Sequence, residues 1–317
     1  MRFVVAGAGA IGAYIGAKMA AAGQDVTLHA RGPHLRAMQQ NGVRVIGEAG
    51  EFMSHPPVSG SLAEIGPADV LILAVKAHGL PALAPDLHHV LGPDTVVVTT
   101  QNGIPWWYLE GERIECVDPA GVVSAAIERR RVLASIVYFS TEIAEPGVVR
   151  HISGDRISLG EPDGARSDRA RRIAAALVAS GLRAPVTTHI REEIWVKLLG
   201  NMCFNPISAL TGATLVRMTR HPEVSDLIRR IMQEGECVAA KMGMQLPVSI
   251  EQRIAGADKV GEHKTSMLQD WEAGRPLELE ALVGAVVELG EKLGVDMPHT
   301  RAVYACAKLM QECRPRP

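Results

Sequence analysis

Lys197, Asn201 and Asn205 stand four residues apart in the run EEIWVKLLGNMCFNP, residues 192–206. On a helix this interval places all three on one stripe, with a drift of about 40° per step. Trp195, Leu198, Leu199, Met202, Cys203 and Phe204 fill the positions between them. One ammonium and two carboxamides on a shared stripe would face a polar pocket within an apolar wall. The plainer alternative is a solvated surface stripe, and the apolar neighbours argue against it. Pro206 disfavours helical geometry at Asn205, so a kink or break is expected there. Asn205 is equally a candidate N-cap, with Pro206 in the first helical position after it. A carboxylate partner for Lys197 can be read from the last part of the chain. Pro276 suits the first position of a helix running to about Leu293 and ended by Gly294. In that register Glu278 falls with Leu282, Val286, Leu289 and Leu293 on the apolar stripe. Glu280 falls with Gly284, Glu288 and Glu291 on the polar one. An inward Glu278 needs a cationic or hydroxyl partner, for which Lys197 is the natural candidate; a simple capping role is the alternative.

The N-terminal half supplies a different chemistry. Phe3–Ala6 reads as a buried strand, followed by Gly7-Ala8-Gly9-Ala10-Ile11-Gly12, an alanine-rich helix to about Ala22, and a second strand over Asp25–Ala30. This strand–turn–helix–strand context is what the dinucleotide fingerprint requires. Gly7 allows the tight turn, Gly9 the approach of a pyrophosphate, and Gly12 close packing of helix on strand. The N–H groups at Ala10, Ile11 and Gly12 then face the phosphates. NAD binders usually end the second strand with Asp or Glu. Here it ends His29-Ala30-Arg31, and Arg31 can pair with a 2′-phosphate, so NADP is expected as cofactor. Two later strands, Asp69–Val75 and Thr95–Thr100, deliver Lys76 and Gln101-Asn102-Gly103 at their carboxyl ends, where ligands bind in open α/β sheets.

These groups need two scaffolds. The expected fold is α/β, with an N-terminal Rossmann-type dinucleotide-binding domain (1–188) and an all-helical C-terminal domain (189–317). In the first, Val43–Ile46 and Glu51–Ser54 suggest a small hairpin. Further strands are expected over 115–126, 132–140, 148–151 and 156–159. A helix over about 166–180 and an edge strand over 184–186 would complete it. In the second, residues 223–242 read as a long amphipathic helix and 263–271 as part of another. The 317 residues carry a net charge of −2, with 47% hydrophobic and 21% charged residues. That balance argues against nucleic acid or an anionic membrane as the main partner. Five scattered cysteines without a CxxC pair suggest neither a disulfide framework nor a zinc site, and no metal is expected. No apolar run reaches the roughly 18 residues of a membrane span. The start runs directly into a strand and not a signal peptide, so a cytoplasmic protein is expected; monomer or homodimer stays open.

Together these motifs resemble the ketopantoate reductase (2-dehydropantoate 2-reductase) family over nearly the whole chain. The resemblance is carried by GAGAIG with Arg31, the strand ending in Lys76, and Gln101-Asn102-Gly103. Ile194-Trp195-Val196-Lys197-Leu198 with Asn201 and Asn205-Pro206 adds to it, as does Ser266-Met267-Leu268-Gln269-Asp270 leading to Gly274-Arg275-Pro276-Leu277-Glu278. It implies NADPH-dependent reduction of a 2-keto acid, ketopantoate to pantoate, in pantothenate biosynthesis, with the active site in the cleft between the two domains. Lys197 would be the general acid, and Glu278 would orient it and accept from the substrate hydroxyl. Asn201, Asn205 and Ser266 would hold the hydroxyl and carboxylate, and Asn102 and Lys76 would position the nicotinamide end and the reacting group. Leu277 stands where a threonine is common, and Leu215 and His263 where some members carry a substrate-binding asparagine. The identity of the keto acid therefore stays open. β-Hydroxyacid dehydrogenases also place Lys and Asn four apart after a Rossmann domain, but Glu278 and the Ser266 block favour the keto-acid reductase. A non-catalytic NADPH-binding redox sensor would need the glycine turn and Arg31 but no inward Lys–Glu pair.

Overall fold

A computed structural model describes residues 1–48 and 50–314. The chain forms two compact units, one of Met1–Gln101 and Gly121–Arg191, the other of Asn102–Ala120 and the residues from Glu192 onward. The second unit thus takes a segment from the middle of the N-terminal half, which a serial division at residue 188 does not foresee.

The strands of the first unit are β1 (Arg2–Ala6), β2 (Asp25–His29), β3 (Val43–Gly47), β4 (Phe52–Ser54), β5 (Val58–Ser59), β6 (Ala68–Leu73), β7 (Leu91–Thr99), β8 (Val132–Val137), β9 (Ser140–Glu145), β10 (Val148–Ser153) and β11 (Ile157–Gly160). Seven form one sheet in the order β11-β8-β7-β6-β1-β2-β5. It is parallel except for β11, which runs antiparallel to β8. The continuous apolar runs of β1, β6 and β8 follow from burial on both faces. β1 has β2 on one side and β6 on the other, so the direction of winding reverses beside it. The carboxyl ends of β1 and β6 frame the crevice where ligands bind in such sheets.

The other four strands form a second sheet, β4-β3-β10-β9, in which β3 and β4 make the expected hairpin. The helix Ala10–Ala21 lies between the two sheets: Tyr14 stacks on His151 of β10, ring centres 4.9 Å apart, and meets Phe139 at 5.2 Å. A helix covered on both sides has no polar face to show, which accounts for its uniform Ala/Gly/Ile sequence. Two glycines of this helix, Gly12 and Gly16, sit in close contact, Gly16 against Leu28 of β2 and Gly12 against the glycine turn. A Cβ on Gly12 would run into the Gly7 carbonyl and lie 2.9 Å from the Ala74 Cβ.

The second unit is helical, with Ile190–Thr211, Leu215–Arg220, Pro222–Lys241, Ile250–Val260, Ser266–Glu272, Ala285–Leu293 and Pro298–Glu312. The buried Glu234 carboxylate caps the last of these. It accepts the His299 N–H at 3.0 Å, the Thr300 N–H at 2.8 Å and the Thr300 hydroxyl at 2.6 Å. Among the described residues, no helix is long and apolar enough to cross a membrane.

Four local expectations are corrected. Residues 115–126 form no strand: the Glu115 and Cys116 N–H groups are taken by the Glu288 carboxylate at 2.8 and 3.1 Å, and Val122–Ala126 is a short helix. Residues 184–186 make only an isolated bridge, Leu159 with Val186, beside a second between Arg156 and Arg183. Pro185 has no N–H to extend it into a ladder. The helix carrying Lys197 does not break before Pro206, which lies inside it. The Met202 carbonyl loses its usual donor, and burial of Phe204, Pro206 and Ile207 offsets that loss. Asn205 is therefore a helical residue and not an N-cap. Finally, Pro276 does not open a helix. Arg275 is tied back to Asp270 through its N–H at 2.8 Å and through its guanidinium at 2.8 Å. The segment to Glu278 stays non-helical, and the helix begins at Leu279.

Gly12→Ala is expected to destabilise the first unit by roughly 1–3 kcal/mol, the usual cost of overpacking. This would be read as a lower urea midpoint, at unchanged m value, in cofactor-free protein. An unchanged midpoint would remove the close-packing role.

Candidate active site

In the first unit the glycine turn leaves β1. Gly7 has φ +95°, and a Cβ on it would lie 2.6 Å from the Val75 nitrogen. The Gly7 and Ala8 N–H groups donate to the His29 carbonyl at 3.1 and 2.7 Å, which fixes the turn against β2. Gly9 caps the helix without a side-chain acceptor, and the first turn holds no acidic residue. The N–H groups of Ala10, Ile11 and Gly12 are thus presented as an anion site. A Cβ built on Gly9 would meet nothing within 4 Å, so there is room for a ligand against this backbone. Arg31 is exposed just beyond β2, at the N-cap of the Gly32–Asn41 helix. Lys76 caps a short turn beyond the carboxyl end of β6. The Gln101 carboxamide donates to the Leu73 and Val75 carbonyls at 2.9 and 2.8 Å, which pins the end of β7 to the chain leaving β6. An uncapped helix end, an open glycine and an exposed guanidinium fit a dinucleotide with a phosphorylated ribose.

In the second unit the Ile190–Thr211 helix carries Lys197, Asn201 and Asn205. Trp195, Leu198, Leu199, Met202 and Cys203 are fully buried around them. Lys197 and Asn201 are half-buried, and Asn205 is 5% exposed. The Lys197 ammonium donates to the Asn102 Oδ1 at 2.6 Å. Burial lowers its pKa and the charge of Glu278 raises it, with the balance at about 8. Glu278 itself is 9% exposed, whereas the side chain of Glu280 is 41% exposed and accepts from the Tyr304 hydroxyl at 2.6 Å. The periodicity argument thus separates the two glutamates correctly, although the helix it assumed starts later. A lysine whose pKa burial lowers to about 8, with a neutral acceptor and a carboxylate acting on it, is equipped to donate a proton.

The structure brings Lys197, Asn102 and Glu278 together, and places Asn201 and Asn205 on the same helix as Lys197. Ser266 is exposed in the first turn of Ser266–Glu272, a helix capped by the Thr265 hydroxyl, which accepts the Leu268 N–H at 3.2 Å. The contact of Asn102 with Lys197 was not foreseen, because sequence reasoning placed Asn102 by the strand it follows. Its neighbour Gly103 carried a usable signal: at φ +88° it seats against the Ala281 carbonyl, where a side chain would collide.

A Rossmann-type sheet with an uncapped glycine turn, and a helical unit with a desolvated lysine, define a dinucleotide-dependent oxidoreductase. The family model "Ketopantoate reductase PanE/ApbA" matches residues 3–164, and "Ketopantoate reductase PanE/ApbA C terminal" matches residues 189–311. A 2-dehydropantoate 2-reductase of Mesorhizobium japonicum is 46% identical over 97% of both chains. One of Archaeoglobus fulgidus is 31% identical over 95% of both. The crystal structure of a putative ketopantoate reductase from Ralstonia solanacearum superposes with a TM-score of 0.94 at 39% identity, covering 99% of this chain and 98% of that one. The chain belongs to the ketopantoate reductase family and is an oxidoreductase that works with a nicotinamide dinucleotide.

Replacing Glu278 with Gln is expected to lower the Lys197 pKa further below about 8, because only the carboxylate charge raises it against burial. NMR titration of the Lys197 side chain reads this directly. A pKa that stays or rises would remove Glu278 as its charged partner.

Proposed function

We propose that this protein reduces a 2-keto acid with NADPH, most specifically 2-dehydropantoate to pantoate, and that Lys197 is the proton donor. The observation that carries the reading is the Lys197 ammonium, held at 2.6 Å by Asn102 beside Glu278, with a pKa lowered to about 8. The names of the relatives support the substrate. A bound nicotinamide dinucleotide supplies the hydride. Lys197 donates its proton to the ketone oxygen as that oxygen gains charge. Glu278 keeps the ammonium protonated and accepts from the substrate hydroxyl. Asn201, Asn205 and Ser266 hold the hydroxyl and carboxylate, while Lys76 and Asn102 position the nicotinamide end. Gly7, Gly9, Ala10, Ile11 and Gly12 receive the pyrophosphate. Arg31 receives the 2′-phosphate and so selects NADP over NAD. Residues 1–188 serve the cofactor and 189–317 the substrate, with Asn102–Ala120 counted with the latter.

A panel of branched and linear 2-keto acids with NADPH tests the substrate, with the highest kcat/KM expected for ketopantoate. In the wild type, kcat for reduction should fall as pH rises through about 8, where the general acid is lost. Lys197→Ala should lower kcat at least about a hundredfold and leave NADPH affinity nearly unchanged. A variant as active as the wild type would sink the assignment.

Arg31→Ala is expected to weaken NADPH binding and to change NADH binding little, as measured by fluorescence titration of both. Equal losses for the two cofactors would refute the 2′-phosphate role.

A further inference from the structure

Residues Glu280–Gly284 are wound as a π turn, defined by the bond from the Ala285 N–H to the Glu280 carbonyl. Such turns are rare and concentrate at functional sites. This one begins two residues after Glu278. Its Ala281 carbonyl accepts the Ile104 N–H at 2.9 Å. Gly103 packs on the same carbonyl; a Cβ there would overlap its oxygen and carbon and lie 3.1 Å from the Ala281 Cβ. The residue before Gly103 is Asn102, whose Oδ1 accepts from the Lys197 ammonium at 2.6 Å. Asn102 and Glu278, one neutral and one charged, which act on Lys197, are therefore attached to opposite sides of one backbone junction. The outer face of the turn is closed as well. Glu280 folds over Gly284, where a Cβ would come within 3.0 Å of the Tyr304 hydroxyl, and that hydroxyl donates to Glu280 at 2.6 Å.

We infer that this junction is the positioning device of the proton donor: Gly103 and Ile104, clamped on the Ala281 carbonyl of the π turn, set Asn102 and Glu278 in register on the Lys197 ammonium. Gly103 is then a positioning residue that touches no reactant. Its requirement is steric on both counts, a positive φ and a carbonyl at van der Waals distance. The kinetic part of the inference rests on Lys197 as general acid; the titration of Lys197 does not.

The test is a double-substitution cycle on the full chain with Asn102→Ala, Gly103→Ala and both together. It measures kcat, KM and the Lys197 titration by NMR of labelled lysine, assigned by the signal lost in Lys197→Ala. Gly103→Ala should lower kcat at least about tenfold, the scale of a small misplacement. It should also move the Lys197 pKa downward, because the ammonium loses an acceptor and an anion. In the Asn102→Ala background the second substitution should cost less than it does alone, since the Asn102 part of its effect is already gone and only the Glu278 part remains. Fully multiplicative effects, or an unmoved Lys197 titration in a folded Gly103→Ala, would overturn the inference. If Gly103→Ala does not fold, Tyr304→Phe replaces it. That variant removes only the outer bond of the turn and should shift the titration in the same direction by less; no shift overturns the inference. A shifted titration with unchanged kcat leaves the junction standing and removes the general acid. A kcat lost only in Asn102→Ala does the reverse.

Discussion

The helical unit of this molecule depends on keeping one ammonium in an apolar wall. Trp195, Leu198 and Leu199 surround Lys197 in sequence and are buried, and their presence strips water from its neighbourhood. The attraction of Glu278 works against that loss, and the net lowering of the pKa shows that desolvation wins. The same balance constrains the backbone. A carboxylate and a carboxamide must both reach the ammonium, and neither lies on its helix. Each is held by a segment with little freedom: Glu278 by the tie of Arg275 to Asp270, and Asn102 by its neighbours' seat on Ala281.

The nucleotide half solves a different problem. Its first helix has to approach β1 and β2 closely enough that its free N–H groups sit at the crevice, and it also carries a second sheet on its other side. Small residues at Gly12 and Ala13 meet the first demand. Tyr14, stacked on His151, meets the second. The helix is therefore clamped along its length while its N-terminus, at Gly9, remains open.

Much of this was legible in the sequence, for identifiable reasons. The glycine turn is local, and its meaning follows from the strands on either side. Helical period placed Lys197, Asn201 and Asn205 on one stripe and told Glu278 from Glu280. What escaped reading was non-local. The bonds of Glu115 and Cys116 to Glu288 join residues far apart in sequence, so a stretch that looked like a strand is a loop leading into a short helix. Strand β9 has exposed, polar positions with no apolar alternation, so it went unread, and nothing local joined the β3–β4 hairpin to the strand near 148–151 as a second sheet. Pro206 and Pro276 each misled by rule. The first is tolerated within a helix because its surroundings are buried, and the second precedes a helix it does not start.

The excursion of Asn102–Ala120 into the helical unit has a consequence for how the chain is made. Ile104, Trp106, Trp107 and Tyr108 leave the ribosome early and are buried in the finished protein, at a gain on the order of 1.5–3 kcal/mol per side chain. One set of their unit's bonds closes over 173 residues, from Glu115 to Glu288. During synthesis these apolar side chains must wait for partners that arrive last. Until then the N-terminal part of the nascent chain carries exposed apolar surface, and the helical unit is the last to complete.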